Sequence, residues 1–223
     1  NPSLAWSPDA KTKVVIKARM LDNSTVDYSG LPRASTSANE PAAGLLRSTF
    51  VTATGLPDTT QKSRGLNVQW TQVLNDDWTL KALAAHSTAE VDQRGVFPIP
   101  YGKVSLFGSG FGSTVNLSGL RLWEQLTSNT VQVSLATLLK SGEALHRISF
   151  GLDRDETRDD AFMAFASSPS FAPTDLLNSA RPAWGEPAVP PKANQQQNRS
   201  TSTVAYVQDQ IQWGPWHLHG SLR

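Results

Sequence analysis

Two histidines, His217 and His219, stand two residues apart, a spacing that puts both side chains on one face of an extended segment. Such a pair could begin a metal site. No carboxylate or third histidine is placed near it in sequence, so two polar residues on the wet face of a strand is the better reading. Gly108-Ser109-Gly110-Phe111-Gly112 superficially resembles a phosphate loop. It follows no clear buried strand, precedes no clear helix and lacks a Lys-Ser or Lys-Thr, which leaves a flexible loop. Asp153, Arg154, Asp155, Glu156, Arg158, Asp159 and Asp160 form a charge-dense run. It reads as a solvated, self-neutralising strand end, with a polar lining along a ligand route as the functional alternative. No Gly-x-Ser-x-Gly elbow and no His-Glu-x-x-His occurs, so no enzyme motif stands out. Asn23-Ser24-Thr25 and Asn116-Leu117-Ser118 match glycosylation sequons, a pattern common by chance. Aromatic residues fall between the patterned segments: Tyr28, Phe97, Tyr101, Phe107, Phe162, Phe165, Phe171 and Trp184. They could stack on a ligand or pack their own loops, and both uses stay open.

The elements that would position these residues are strands. Val14, Ile16, Ala18 and Met20 alternate with Lys13, Lys17 and Arg19 after a Ser7-Pro8-Asp9-Ala10 turn. Leu66, Val68, Trp70 and Leu74 alternate with Asn67, Gln69 and Thr71. Asn75-Asp76-Asp77 then turns the chain into Trp78, Leu80, Ala82 and Ala84. Thr130 to Lys140 and Leu145 to Asp153 form the next hairpin around Ser141-Gly142-Glu143. In its second strand His146, Ile148, Phe150 and Leu152 share a face. Thr203 to Trp213 and Trp216 to Arg223 form the last, joined at Gly214-Pro215, where the missing proline N–H belongs in a turn. Ala205, Val207, Ile211 and Trp213 face one way, with Asp209 as the exception. The pattern predicts an all-β, antiparallel meander of about six long strands, plus the tail of another at Leu4-Ala5-Trp6. Long polar loops are expected over roughly 21–64, 89–127 and 157–200.

Composition narrows the class. The net charge of +1 over 223 residues gives no field that would select nucleic acid. The absence of cysteine excludes disulfide scaffolds and cysteine-based zinc sites. With 39% apolar residues and a mean hydropathy of -0.33, no run approaches the ~20 apolar residues of a spanning helix. A transmembrane barrel alternates and keeps such an average low. Asn1-Pro2-Ser3-Leu4 carries no export signal and the C-terminus falls in mid-strand, which suits a segment of a longer chain. A mature protein with its signal removed is the alternative.

Two features favour a membrane wall over a soluble sandwich. Trp6, Trp78, Trp213 and Trp216 border short turns, where an interfacial girdle would hold them. Lys13, Lys17, Arg19, Lys81, Lys140 and Arg147 all lie on the polar face of their strands. A cation on a lipid face costs ~2–4 kcal/mol near mid-membrane, and on a lumenal face that cost vanishes.

Val204-Ala205-Tyr206-Val207-Gln208-Asp209-Gln210-Ile211, followed by Trp213, a turn and a strand ending in Leu222-Arg223, resembles the barrel motif of TonB-dependent siderophore receptors. Val204-Ala205 stands where the family has Gly-Val, and Ser221-Leu222 departs from its second Gly. Leu4-Ala5-Trp6-Ser7-Pro8 is similar to the family's W-x-P turn. Asn75-Asp76-Asp77-Trp78-Thr79-Leu80 is similar to its FNDxWTL hairpin, and His146 to Asp153 to H-x-L-L-x-G-x-D. Leu31-Pro32 follows an aromatic residue, as in ferrichrome-type receptors.

The resemblance implies that residues 1–223 are part of a transmembrane barrel of about 22 strands around a plug. Short turns would face the periplasm and long loops the outside of a bacterial outer membrane. It implies a ferric siderophore as ligand, with TonB as partner through a region outside this chain. It further implies outer-membrane lipid as surroundings, a monomeric barrel, no resident cofactor and no catalysis. Carried over by position, Tyr28, Tyr101 and Phe165 would be the siderophore contacts. The rivals are a passive porin and a soluble all-β ligand-binding domain, with an enzyme third.

Overall fold

The computed structural model describes residues 1–32, 45–46, 49, 51–100, 112–166, 173–178 and 180–223. They form β1 (Ser3–Trp6), β2 (Thr12–Thr25), β3 (Thr59–Val73), β4 (Trp78–Pro100), β5 (Thr114–Ser141), β6 (Ala144–Phe165), β7 (Thr174–Asp175), β8 (Gln196–Trp213) and β9 (Trp216–Leu222). One 3-10 turn at Lys192–Asn194 precedes β8. The strands build a single antiparallel sheet in the order β1-β2-β3-β4-β5-β6-β8-β9, with β7 pairing β5 off that path. This is the meander that the alternation predicts. It has seven strands after β1 on its main path rather than about six.

The strands are also longer than their sequence pattern. β2 continues to Thr25, β4 to Pro100 and β6 to Phe165, while β5 begins at Thr114 and β8 at Gln196. Much of what the pattern assigns to loops is therefore ladder. The 28 residues of β5 would rise roughly 90 Å at ~3.3 Å each, far beyond a ~30 Å hydrocarbon core. Where both faces of a strand are wet, alternation has no reason to persist. Ser87-Thr88 and Ser128-Asn129-Thr130 show none, yet each residue keeps its ladder partner. The charged run from Asp153 to Asp160 likewise lies inside β6 and not at its end. Its charges are answered locally: Thr130 Oγ1 donates to Asp155 at 2.7 Å, Arg158 pairs with Asp160 at 2.8 Å, and Arg199 pairs with Glu156.

At one end of the sheet every connection is short. Asn75 Oδ1 accepts from the backbone N–H of Asp77 and Trp78 at 3.0 and 2.9 Å, an Asx-type turn. Gly142 and Gly214 open two-residue loops with φ of 59° and 55°, a backbone region that a side chain disfavours. Asp9 accepts from Lys11 and Thr12 N–H between β1 and β2. The Lys11 amide, followed by the Thr12 hydroxyl, holds its carboxyl below the usual range.

No bulge interrupts the strand pairings of the main path, so each face can be followed across the sheet. One cross-strand row reads Trp6, Val14, Trp70, Ala82, Val133, Leu152, Ala205. The next reads Leu80, Leu135, Phe150, Val207, Leu222. The opposite face reads Lys13, Thr71, Lys81, Ser134, Gly151, Tyr206. The apolar rows are open: Trp6 is 59%, Leu152 54% and Phe150 44% exposed. A soluble sandwich would cover such a face with a second layer, and none lies over it among the described residues.

Candidate functional site: the long-loop end

The buried residues gather at the other end, where β4 and β5 rise furthest. Val96, Val115 and Leu117 present one face there, and Leu45, Val51, Ala53 and Leu176 from the connecting segments cover it. Those segments are stitched together. Thr54 N–H donates to the Pro182 carbonyl at 2.7 Å, and Trp184 N–H donates to the Thr54 carbonyl at 2.8 Å. The Trp184 ring lies on Gly119, where a Cβ would come within 3.1 Å of it.

Beside this small core sits a ring of four charges. Arg94 and Arg121 are direct cross-strand partners, an arrangement that would repel if left alone. Asp92 bridges both at 2.9 and 3.1 Å, and Glu186 bridges both at 3.0 Å. Glu186 also accepts from Trp184 Nε1 at 2.9 Å. Arg121 lies 5.5 Å over the Phe162 ring, which stacks on Trp123 at 5.7 Å. Glu186 is therefore what ties the 182–187 segment to the wall. Replacing it with alanine leaves two guanidiniums with one carboxylate, at an expected local cost of about 1–2 kcal/mol. Amide exchange at Thr54 and Trp184 should then speed up ~5–30-fold. Unchanged protection would mean that the apolar packing alone holds the segment.

The opposite face at this end is the continuation of the Lys13 and Lys81 face. Asp27 lies over Gly95, where any Cβ would collide with its carboxylate, and Asp27 accepts from Gln93 Nε2 at 3.1 Å. The Gly95 row continues through Leu120 to Phe165, and the adjacent row pairs Leu122 with Met163. Phe165 is 48% and Met163 53% exposed.

Of the residues that the sequence nominates, Phe165 is thus the last residue of β6, on this face. Tyr28 directly follows Asp27, is 45% exposed, and its hydroxyl donates to the Thr49 carbonyl at 3.3 Å. The fold brings both to the same end of the sheet. Tyr101 lies outside the described residues, as does Gly108–Phe111 of the glycine-rich run. His217 and His219 sit on β9 opposite Gln212 and Gln210. No group of three or more potential metal ligands occurs among the described residues. Asp27, Met163 and the four-charge ring escaped sequence reading because their partners come from segments distant in sequence.

A family model described as TonB dependent receptor-like, beta-barrel matches residues 9–223. No curated protein matches the chain. Among solved structures, the ferric-catecholate import receptor Fiu from E. coli K12 matches with a TM-score of 0.75 at 12% identity, over 99% of this chain and 35% of that one. The siderophore receptor PiuA from Acinetobacter baumannii matches with a TM-score of 0.68 at 17% identity, over 96% and 32%. FpvA from P. aeruginosa, solved with heterologous pyoverdines, matches with a TM-score of 0.63 at 11% identity, over 99% and 31%. Identities this low speak for the fold alone, and the chain spans about a third of the length of these receptors. With the meander, the sorted faces and a family model that covers nearly every residue, the chain belongs to the TonB-dependent receptor family, within its β-barrel.

Proposed function

We propose that this chain is part of the wall of a bacterial outer-membrane receptor that takes up ferric siderophores with energy passed through TonB. The observation that supports this most is the sheet itself. Towards the short turns its outward rows are largely apolar and open, the cations Lys13, Lys17, Lys81, Lys140 and Arg147 lie on the other face, and that end is closed by short turns. β1 and β9 each have an edge without a partner among the described residues. Lipid cannot satisfy such edges, so further strands must close the barrel. Members of this family are transport receptors of the outer membrane rather than enzymes. The iron is cargo here, not a resident cofactor, and the role of this wall is binding and gated passage.

Within the mouth, Tyr28, Tyr101 and Phe165 are the proposed siderophore contacts, supplying apolar and stacking surface. In the receptor that contains this chain, a Tyr28→Ala, Phe165→Ala double variant should bind its ferric siderophore ~10–100-fold more weakly. Quenching of intrinsic fluorescence on titration measures this. An unchanged Kd removes the two rings from the site. Failure of the intact, inserted receptor to support growth on any ferric siderophore would overturn the import reading.

A further inference from the structure

The apolar rows do not end level across the sheet. Going outward from the short turns, the last apolar residue on the open face is Met20 on β2, Leu66 on β3, Ala84 on β4, Val131 on β5, Leu152 on β6 and Ala205 on β8. Followed through the register, this edge falls by three rows from β2 to β8. The tryptophans at the short-turn end fall in the same way. Trp6 on β1 shares a row with Ala82, four residues beyond Trp78 on β4. Trp78 in turn shares a row with Asp209, four residues before Trp213 on β8. Each step crosses three strands. Four residues rise roughly 13 Å and three strand spacings span roughly 14 Å, so the tryptophan line runs at about 43° to the rows. Barrel strands cross a bilayer at a tilt of ~35–45°. The slanted line therefore marks the membrane plane, and it brings residues of different rows to one depth.

One such set is Arg64, His86, Asn129 and Arg154, the first polar residues beyond the apolar edge on β3, β4, β5 and β6. Arg64 shares a row with Arg158, four residues beyond Arg154, which repeats the tryptophan step. His86 stands eight residues beyond Trp78, roughly 26 Å along the strand and roughly 20 Å along the membrane normal at that tilt. An apolar band is ~25 Å tall, so the set sits at its outer border. All four residues are exposed. Each has a ladder partner on both sides, so no open sheet edge creates the exposure.

His86 Nδ1 and Asn129 Oδ1 are 2.7 Å apart. The amide oxygen can only accept, so Nδ1 donates, and the Asn129 amide keeps its N–H donors for another group. The nearest carboxylates each stand beside a different cation. Asp22 and Glu90 flank Lys62 in its row. Glu156 pairs with Arg199, and Asp160 with Arg158.

We propose that Arg64, His86, Asn129 and Arg154 form a docking surface for the phosphates of a phosphorylated glycolipid in the outer leaflet. The two guanidiniums can each grip a phosphate through paired N–H donors. Their backbones are roughly 20 Å apart, with the Asn129 amide between them. The apolar rows directly below would take the acyl chains, so the surface matches an amphiphile rather than a free anion. It rests on the barrel reading and not on the import of any cargo.

The test offers the purified receptor equal amounts of bisphosphorylated lipid A and its dephosphorylated form, with retained lipid counted by native mass spectrometry. About a tenfold preference for the phosphorylated form is expected. Arg64→Gln combined with Arg154→Gln should remove most of it. Arg147→Gln, which deletes a cation from the lumenal face, should leave it whole. Equal retention of the two lipids by the unaltered receptor overturns the surface whatever the variants do. A preference that survives the double substitution, or that Arg147→Gln removes equally, overturns it as well. Heat-modifiable migration reports folding of each variant. A receptor that keeps the preference but supports no growth on ferric siderophores loses the import reading and retains this surface.

Discussion

Arginine in place of Val133 should cost the barrel about 2–4 kcal/mol, while arginine at the adjacent Gln132 should cost close to nothing. Val133 sits in the all-apolar row between Ala82 and Leu152 and is 43% exposed on that face. Leu135 and then Thr137, in the Trp78 row, separate it from the interfacial belt, a distance of about 13 Å along the strand. A guanidinium on its flexible stem cannot cover that distance cheaply, so the charge or a local bilayer defect has to be tolerated. Gln132 points the other way, between Leu83 and Asp153. Arginine there gains a carboxylate opposite and stays wet. Denaturant titrations of both variants in lipid vesicles give the comparison. Equal costs would show that the sheet does not meet lipid on the Val133 face, and a larger cost at Gln132 would show that the faces are inverted.

That contrast was legible in the sequence because it needs only local information. Period two assigns Val133 and Gln132 to opposite faces whatever the partner strand is. The hairpins at Asn75–Asp77, Ser141–Glu143 and Gly214–Pro215 were legible for the same reason, since turn chemistry is local. The reach of the strands was not. Beyond the apolar rows, the middles of β4, β5 and β6 carry polar residues on both faces, and further out Val96, Val115 and Leu117 are covered by the connecting segments, so the ladder leaves no period-two trace there. Phe165 therefore read as a loop residue although it ends β6. The ring of Asp92, Arg94, Arg121 and Glu186 was invisible because Arg94 and Glu186 are 92 residues apart. Tyr28 is the intermediate case: its position after a strand was readable, but its link to Thr49 depends on how a long connection folds back.

Register also explains why two separate motifs carried the family resemblance. The β6 motif places His146 and Gly151 five residues apart, and the β8 motif places Tyr206 and Asp209 three apart. Antiparallel pairing of β6 with β8 sets Gly151 directly opposite Tyr206, and brings His146 diagonally to Asp209. The first contact lies on the lumenal face and the second on the lipid face, so the two motifs lock one another from both sides of the sheet. Tyr206 lies across Gly151 so closely that a Cβ at that glycine would collide with the phenol ring. Gly151→Val should therefore expel the ring and cost ~1–3 kcal/mol through overpacking. Tyr206→Ala alone uncovers the glycine at a smaller cost. With the ring gone, valine has room and suits a strand. The double variant should thus be no less stable than Tyr206→Ala, with a coupling of about 1 kcal/mol or more in a double-mutant cycle. Additive costs would mean that the ring does not rest on the glycine, and the lumenal half of the lock would fall while the His146–Asp209 half stood.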